Sequence, residues 1–245
     1  MRALASLWTW FAIGVTLLVG FCLQLVLWLA TAAFDPRRVV AGRCFRLIGV
    51  TAAKLNPTWH FGIEGETPRG LRGRYVVVSN HESNADPFLI SFLPWEMKWL
   101  GKANLFKIPI VGWSMWLAGD IPVVRGKRSS IGEALGRCAE WLEKEMPVMI
   151  FPEGTRSKDG NMLPFKDGAF RLAIDAQALV LPLAVRGTHD ALPKSSWKFG
   201  TSRARVMVGT PIDSAGKTLE SLKEEARAQI EAMRLRLAGV SPHRA

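Results

Sequence analysis

The chain opens on an unbroken apolar run: from Ala3 to Phe34 no residue carries a charge. A bilayer's hydrocarbon core takes roughly 20 apolar residues as helix, so the run is long enough to cross a membrane with tilt. Gly14 and Gly20 would equally let it bend and return to the side it entered. A secretory leader is the competing reading, because Arg2 precedes the run and Ala30, Ala32 and Ala33 are small. The run is too long for the apolar part of such a leader, so residues 1–34 read as a membrane-embedded helix or re-entrant segment. At Asp35-Pro36 the pattern changes. Arg37, Arg38, Arg43, Arg46 and Lys54 are interleaved with Val39, Val40, Cys44, Phe45, Leu47, Ile48 and Val50. That predicts a basic amphipathic helix over 35–58, lying among anionic headgroups. Positive charge just after the apolar run places the rest of the chain in the cytoplasm, on the inner membrane.

From Trp59 onward the apolar runs are short and alternate in type. Strands are predicted at Trp59–Ile63, Tyr75–Ser79, Met97–Leu100, Ile121–Val124, Val148–Phe151, Leu179–Ala184 and Arg205–Val208. Helices are predicted at Pro87–Leu93, Phe106–Ala118, Ile131–Lys144, Phe165–Ala176 and Leu219–Leu237. Ser130 and Glu133 have the spacing of a capping box for the third helix. The last helix carries Leu219, Leu222, Ala226, Ile230, Met233 and Leu237 on one face. Alternation of this kind predicts an α/β fold: a largely buried mixed sheet flanked by helices over 59–215, with a C-terminal helix and tail over 216–245. The tail Ser241–Ala245 is expected to fray.

Composition narrows the partners. The chain has 245 residues, enough for one sizeable core, and 49% hydrophobic against 22% charged residues excludes disorder. A net charge of +11 calls for anionic partners. No nucleic-acid recognition motif is present and the apolar N-terminus argues against that class, which leaves anionic lipid and phosphorylated ligands. Ten tryptophans against one tyrosine suit a membrane interface. Three scattered cysteines form no CxxC, and four histidines form no HExxH, so no metal site is expected.

Four segments carry candidate chemistry. Ser79-Asn80-His81-Glu82-Ser83-Asn84-Ala85-Asp86-Pro87 comes after a predicted strand and precedes a helix, where sites of α/β proteins collect. His81 and Asp86 are five residues apart, which on an ideal helix turns them roughly 140° from each other. They meet only if the chain between them turns. Asp86 as helix cap with Pro87 in the first helical position would do this; an isolated pair of this kind is more often just a loop histidine beside a cap. If they meet, Asp86 accepts from one ring nitrogen and leaves the other as a base. No Gly-x-Ser-x-Gly elbow accompanies them, so no serine nucleophile is indicated. Val148–Ser157 also runs from a strand into a polar turn, where Gly154 admits close backbone approach, Arg156 offers a fork for phosphate, and Glu153 holds a hydroxyl or that arginine. Arg125 lies just past a short strand and Lys102 is a further cation. Pro182, within Leu179–Val185, predicts an edge, a bulge or a channel wall.

In order, Asn80-His81-x4-Asp86, then Arg125, then Phe151-Pro152-Glu153-Gly154-Thr155-Arg156-Ser157, then Pro182 resemble the four blocks of the glycerolipid acyltransferases. The bacterial 1-acyl-glycerol-3-phosphate acyltransferases are especially similar. The resemblance covers Trp59 to Pro211. It implies that His81, oriented by Asp86, removes the proton from an acceptor hydroxyl as that oxygen attacks an acyl thioester, with no acyl-enzyme. It implies acceptor binding by Glu153, Gly154, Thr155 and Arg156, added positive charge from Arg125 and Lys102, and an acyl path shaped by Pro182. The implied acceptor is lysophosphatidic acid, acylated at its sn-2 hydroxyl to give phosphatidic acid. The implied donor is acyl-CoA or acyl-carrier protein, a substrate, so no cofactor is expected. Glu82 stands where the family commonly has glutamine, and Ile121–Val124 lacks the aromatic and acidic residues common before the arginine. Another lysolipid acceptor, such as a lyso-ornithine lipid, and a non-catalytic anionic-lipid-binding protein are the rival readings.

Overall fold

A computed structural model describes residues 2–71, 73–157, 160–193 and 196–239; the tail Ser241–Ala245 lies outside them. In chain order the elements are α1 (Arg2–Thr31), α2 (Val39–Leu55), β1 (Trp59–Glu64), β2 (Tyr75–Ser79), α3 (Asp86–Ile90), β3 (Lys98–Lys102), α4 (Val111–Ala118), β4 (Ile121–Val123), α5 (Arg128–Glu143), β5 (Val148–Ile150), α6 (Gly168–Asp175), β6 (Leu179–Arg186), β7 (Ser202–Val208) and α7 (Leu219–Gly239). The strands form one seven-stranded mixed sheet in the order β1-β7-β6-β2-β5-β3-β4. β6, β2, β5, β3 and β4 run parallel, β7 runs against β6, and β1 runs with β7.

Side chains alternate across a strand, and both faces of this sheet are covered, as a parallel sheet requires. Val76, Val78, Val148, Ile150, Val180 and Ala184 face α5, α6 and α7. Val77, Met149, Leu181, Leu183 and Val185 face α3 and the Trp95–Trp99 segment. Helix α7 buries Leu222, Ala226, Ile230, Met233 and Leu237 of the periodic set read from the sequence, and Leu219 is partly buried against the same core. Pro182 sits in the middle of the sheet, opposite Val78 of β2. Toward β7 the register slips by one residue between Leu183↔Val208 and Val180↔Ile212, so the missing N–H falls at a bulge.

Three local expectations fail for identifiable reasons. The helix predicted over Phe106–Ala118 is broken into a 3₁₀ turn at Leu105–Lys107 and α4. Ile108, before Pro109, is extended, and Ile110 takes φ +65°, rare for a β-branched residue. The capping box does not form: α5 starts at Arg128, and the Ser130 hydroxyl accepts the Val124 N–H at 2.9 Å, tying the exit of β4 to the helix. Asp86 does not cap α3 either; Ala85 holds that position and the carboxylate folds back onto residues 81–83.

The first helix inverts the usual pattern. In α1 the buried residues are Ser6, Thr9, Ala12 and Gln24, while Leu4, Trp8, Phe11, Leu18, Val19, Val26 and Leu29 are exposed. The helix is unbroken. Gly20 serves as a contact, since a Cβ there would stand 2.4 Å from Ile48 Cγ1 of α2. Both ends of α1 dock on the rest of the chain. Arg2 Nε donates to Phe199 O at 2.9 Å, and Gln24 Nε2 donates to Ala41 O and Ser114 O at 3.0 Å. Helix α2 lies between α1 and the sheet domain. Its Arg46, expected among headgroups, is buried instead. It pairs with Asp120, and with Glu96 at 3.4 Å, while Lys98 Nζ lies 3.4 Å from Glu96. Removing any one member of this buried cluster would leave a charge unpaired away from water, so it ties α2 to the edge of the sheet.

Candidate active site

The parallel strands all end at one edge, and that edge collects the candidate residues. His81 lies just past β2, Glu153 and Arg156 past β5, Lys102 closes β3, Arg125 lies past β4, and Thr188 past β6. In open α/β sheets this is the edge that binds ligands.

The turn after β2 is tightly determined. Asn80 continues the ladder to β6 with its side chain: Nδ2 donates to Val185 O and Oδ1 accepts the Val185 N–H, both at 2.9 Å. His81 Nδ1 lies 2.7 Å from Asp86 Oδ2. The same oxygen accepts the Glu82 N–H at 2.8 Å and the Ser83 N–H at 3.0 Å, and the other accepts the Thr188 hydroxyl. Asp86 is fully buried, and its carboxylate faces Nδ1, so Nε2 is the ring nitrogen turned away from it. Among the described residues no hydrogen bond engages Nε2. Phe151 stacks on the imidazole with centroids 4.0 Å apart, and Trp99 packs edge-on to Phe151.

The third block holds the first. Glu153 Oε1 accepts the His81 N–H at 2.9 Å, Oε2 accepts the Leu163 N–H at 3.1 Å, and the Ser157 N–H donates to His81 O at 2.9 Å. Burial pushes the Glu153 carboxyl above the usual carboxylate range, opposed by those two N–H donors. Both oxygens therefore hold main chain, where the sequence anticipated a hydroxyl or Arg156; no ion pair joins Glu153 to Arg156 among the described residues. Gly154 takes φ +70°, and a Cβ there would stand 2.7 Å from Lys166 Nζ. That amine is a rim cation the sequence reading passed over.

Arg156 is half-buried and Arg125 exposed. Partial burial lowers the Arg125 guanidinium below its ordinary value first, and the neighbouring charge of Arg156 lowers it further. Two cations from separate strands thus share one region, and neither makes an ion pair among the described residues. Two like charges held near each other raise the local positive potential at this edge. Lys102 and Thr155 are exposed at the same edge, and among the described residues no side-chain hydrogen bond or ion pair joins either to the two arginines. Pro182 lies in the core, on the face shared with Val78.

Glu82, the departure from the commoner glutamine, is buried with its Oε2 accepting the Gly187 N–H at 3.1 Å and its Oε1 3.6 Å from Arg234 of α7. Burial and the adjacent Asp86 push its carboxyl up to about 7, against the pull of Arg234. Sequence reading missed Thr188 and Arg234 as parts of this site, and named Phe151 only as the start of its block, without its stacking on His81. Thr188 alone had a signal, since Arg186-Gly187-Thr188 leaves its strand as His81 does.

A buried histidine–carboxylate pair and two arginines with no ion pair among the described residues gather at the carboxyl edge of the parallel strands, in an α/β domain with an apolar helical flank. The acyltransferase family model matches residues 60–186, just over half of the chain, and the chain belongs to that family. It is 39% identical over 178 residues to the chloroplastic 1-acyl-sn-glycerol-3-phosphate acyltransferase LPAT1 of Arabidopsis thaliana, which covers 72% of this chain and 49% of that one. To the 1-acyl-sn-glycerol-3-phosphate acyltransferase of Haemophilus influenzae it is 29% identical, covering 78% of this chain and 82% of the other. The crystal structure of the 1-acyl-sn-glycerophosphate acyltransferase PlsC from Thermotoga maritima superposes with a TM-score of 0.83 at 25% identity, over 98% of this chain and 99% of that one. The chain spans about half the length of the plant relatives it matches.

Proposed function

We propose that the protein transfers a fatty acyl chain from an acyl thioester, carried on CoA or on acyl-carrier protein, to the sn-2 hydroxyl of 1-acyl-glycerol-3-phosphate, giving phosphatidic acid. The observation that carries this reading is the His81 Nδ1–Asp86 Oδ2 contact of 2.7 Å, which leaves Nε2 as the base, at the edge where Arg125 and Arg156 share one region. His81 Nε2 takes the hydroxyl proton as the oxygen attacks the thioester carbonyl. The tetrahedral adduct then expels the thiolate, which recovers the proton from the imidazolium, so atoms and charge balance without an acyl-enzyme or cofactor. Asp86 stabilises the imidazolium between those two steps, and the arginine pair holds the acceptor's phosphate.

The anchor fits a one-leaflet arrangement better than a span. Arg2 and Gln24 are 22 residues apart, about 33 Å of helix, roughly the thickness of a hydrocarbon core, yet both dock on the same body. A spanning helix would place one of these contacts across the bilayer. With its polar residues turned inward and its apolar ones outward, α1 lies along the domain with its outer face in lipid. The positive charge after α1 supports the cytoplasmic membrane with the catalytic edge on the cytoplasmic side.

The test offers purified protein a panel of lysolipids with acyl-CoA and acyl-carrier-protein donors, and identifies products by mass. Phosphatidic acid is expected from lysophosphatidic acid, and its loss in His81→Ala with vesicle binding retained. Full activity in that variant overturns the mechanism; product only from phosphate-free acceptors overturns the substrate.

A further inference from the structure

Helix α7 lies outside the segment that the family model matches, yet it reaches the site from behind. Arg234, in its last turns, is buried. Its Nη2 lies 3.6 Å from Glu82 Oε1 and donates to Gly160 O, while Nη1 donates to Glu231 at 3.1 Å. Two turns earlier, Arg227 donates to Leu163 O at 2.7 Å and to Met162 O at 3.3 Å. Two arginines of one helix thus clasp the 160–163 loop, whose Leu163 N–H orients Glu153, which in turn holds the His81 N–H. The other end of the clasp is more direct. Glu82 belongs to the turn between the two members of the pair: its N–H donates to Asp86 Oδ2, and its carboxylate is fixed by Gly187 and Arg234.

We propose that Arg234 is a positioning residue for acyl transfer, acting on the His81–Asp86 pair through Glu82 on one side and the 160–163 loop on the other. The inference rests on the reading of that pair as the transferring base. A carboxylate buried beside a second carboxylate repels it unless a cation stands on its far side. Among the described residues, five titratable or charged groups face or adjoin Glu82. Asp86 approaches from α3, with His81 behind it; Arg186 stands at the end of β6; Arg234 comes from α7, with Glu231 beside it. Removing Arg234 leaves only the Gly187 N–H and the weaker pull of Arg186 against the Glu82–Asp86 repulsion, and the repulsion acts on the turn that Asp86 closes. Glutamine at residue 82 needs no such cation, because a neutral amide still accepts the Gly187 N–H.

The experiment compares wild type, Arg234→Met and the double variant Glu82→Gln/Arg234→Met, in full-length protein, with lysophosphatidic acid and acyl-CoA from pH 6 to 9. Arg234→Met is expected to lower kcat at least about tenfold with both KM values within about twofold, the pattern of a lost transition-state requirement. Its rate should also fall as pH rises through the range in which Glu82 ionises. The double variant is expected to recover at least about threefold in kcat and to lose that alkaline fall, the coupling expected of neighbours. A merely structural role for α7 predicts neither the recovery nor the change in pH profile. Activity of Arg234→Met within twofold of wild type, or a double variant no faster than the single, overturns the proposal. If Arg234→Met alone does not fold, a folded and active double variant supports the pairing, and a double variant that also fails overturns it. An inactive wild type would instead refute the catalytic reading on which the inference rests.

Discussion

Replacing Asp86 by asparagine separates two tasks that the carboxylate performs at once. Oδ2 accepts three N–H groups and Oδ1 accepts the Thr188 hydroxyl. An amide fits this arrangement if its oxygen takes the Oδ2 position. The amide nitrogen then faces Thr188 Oγ1, whose hydroxyl turns from donor to acceptor. The turn, the tautomer and the ring orientation all survive, and only the negative charge is lost. With the ring nitrogen 2.7 Å from the carboxylate oxygen, the centres of charge in an imidazolium–carboxylate pair are about 4 Å apart, worth about 4 kcal/mol at an effective dielectric of 20. The remaining donors temper that value, so the expected loss in kcat is about 10²–10³-fold. KM for the acceptor should stay within about twofold, because Asp86 is wholly buried. Asp86→Ala loses the turn as well and should be worse than Asp86→Asn. The assay is initial-rate formation of phosphatidic acid at saturating donor, with product measured by mass. A kcat within threefold of wild type in Asp86→Asn would show that the charge is not used, and the assignment of His81 as base would fall with it.

The same geometry bears on the cations, on Glu82 and on the anchor. Arg125→Ala and Arg156→Ala should each raise KM for lysophosphatidic acid about tenfold, the scale of one charge-assisted hydrogen bond, and leave KM for a monoacylglycerol unchanged; equal effects on both acceptors would remove the phosphate assignment. Glu82 ionises at about 7 in the folded protein and near 4.5 when unfolded, so between those values the folded state binds the extra proton and stability falls as pH rises. The loss amounts to about 3 kcal/mol across the window, and denaturant unfolding of Glu82→Gln at pH 5 and pH 8 should show it reduced. Val19→Asp, on the exposed face of α1, should weaken binding to anionic vesicles severalfold without unfolding the domain; undiminished binding would refute the lipid-facing role of that face.

Local chemistry decided which parts of this structure could be read in advance. Tyr75–Ser79 was legible to the residue because an apolar run buried on both faces is bounded by polar turns. The ends of β3 and β7 moved because Gly101, Lys102, Ser202 and Arg203 carry no strand signal of their own, and only pairing with neighbours extends the ladder over them. Arg46 looked like its neighbours Arg37 and Arg43 until Glu96 and Asp120, distant in the chain, came to meet it. Glu153 was legible as functional but not in what it touches, since its partners are main-chain groups of His81 and Leu163 that no spacing rule specifies. Arg234 had no signal at all: its meaning lies in Glu82, some 150 residues earlier.

The five-residue spacing of His81 and Asp86 shows the limit from the other side. It excluded a shared helical face and required a turn, but the aspartate cap read as making that turn does not form: Ala85 takes the cap position and the carboxylate closes the turn by itself. What selects the observed arrangement is the count of donors. In the cap position the carboxylate would meet N–H groups of α3, a helix of five residues with Pro87 removing one of them. Folded back, it meets two turn N–H groups, an imidazole N–H and a hydroxyl, all away from water. A buried carboxylate is stable only where its lone pairs are answered, so the better-satisfied position wins. The turn and the oriented imidazole are therefore a single solution to one desolvation problem.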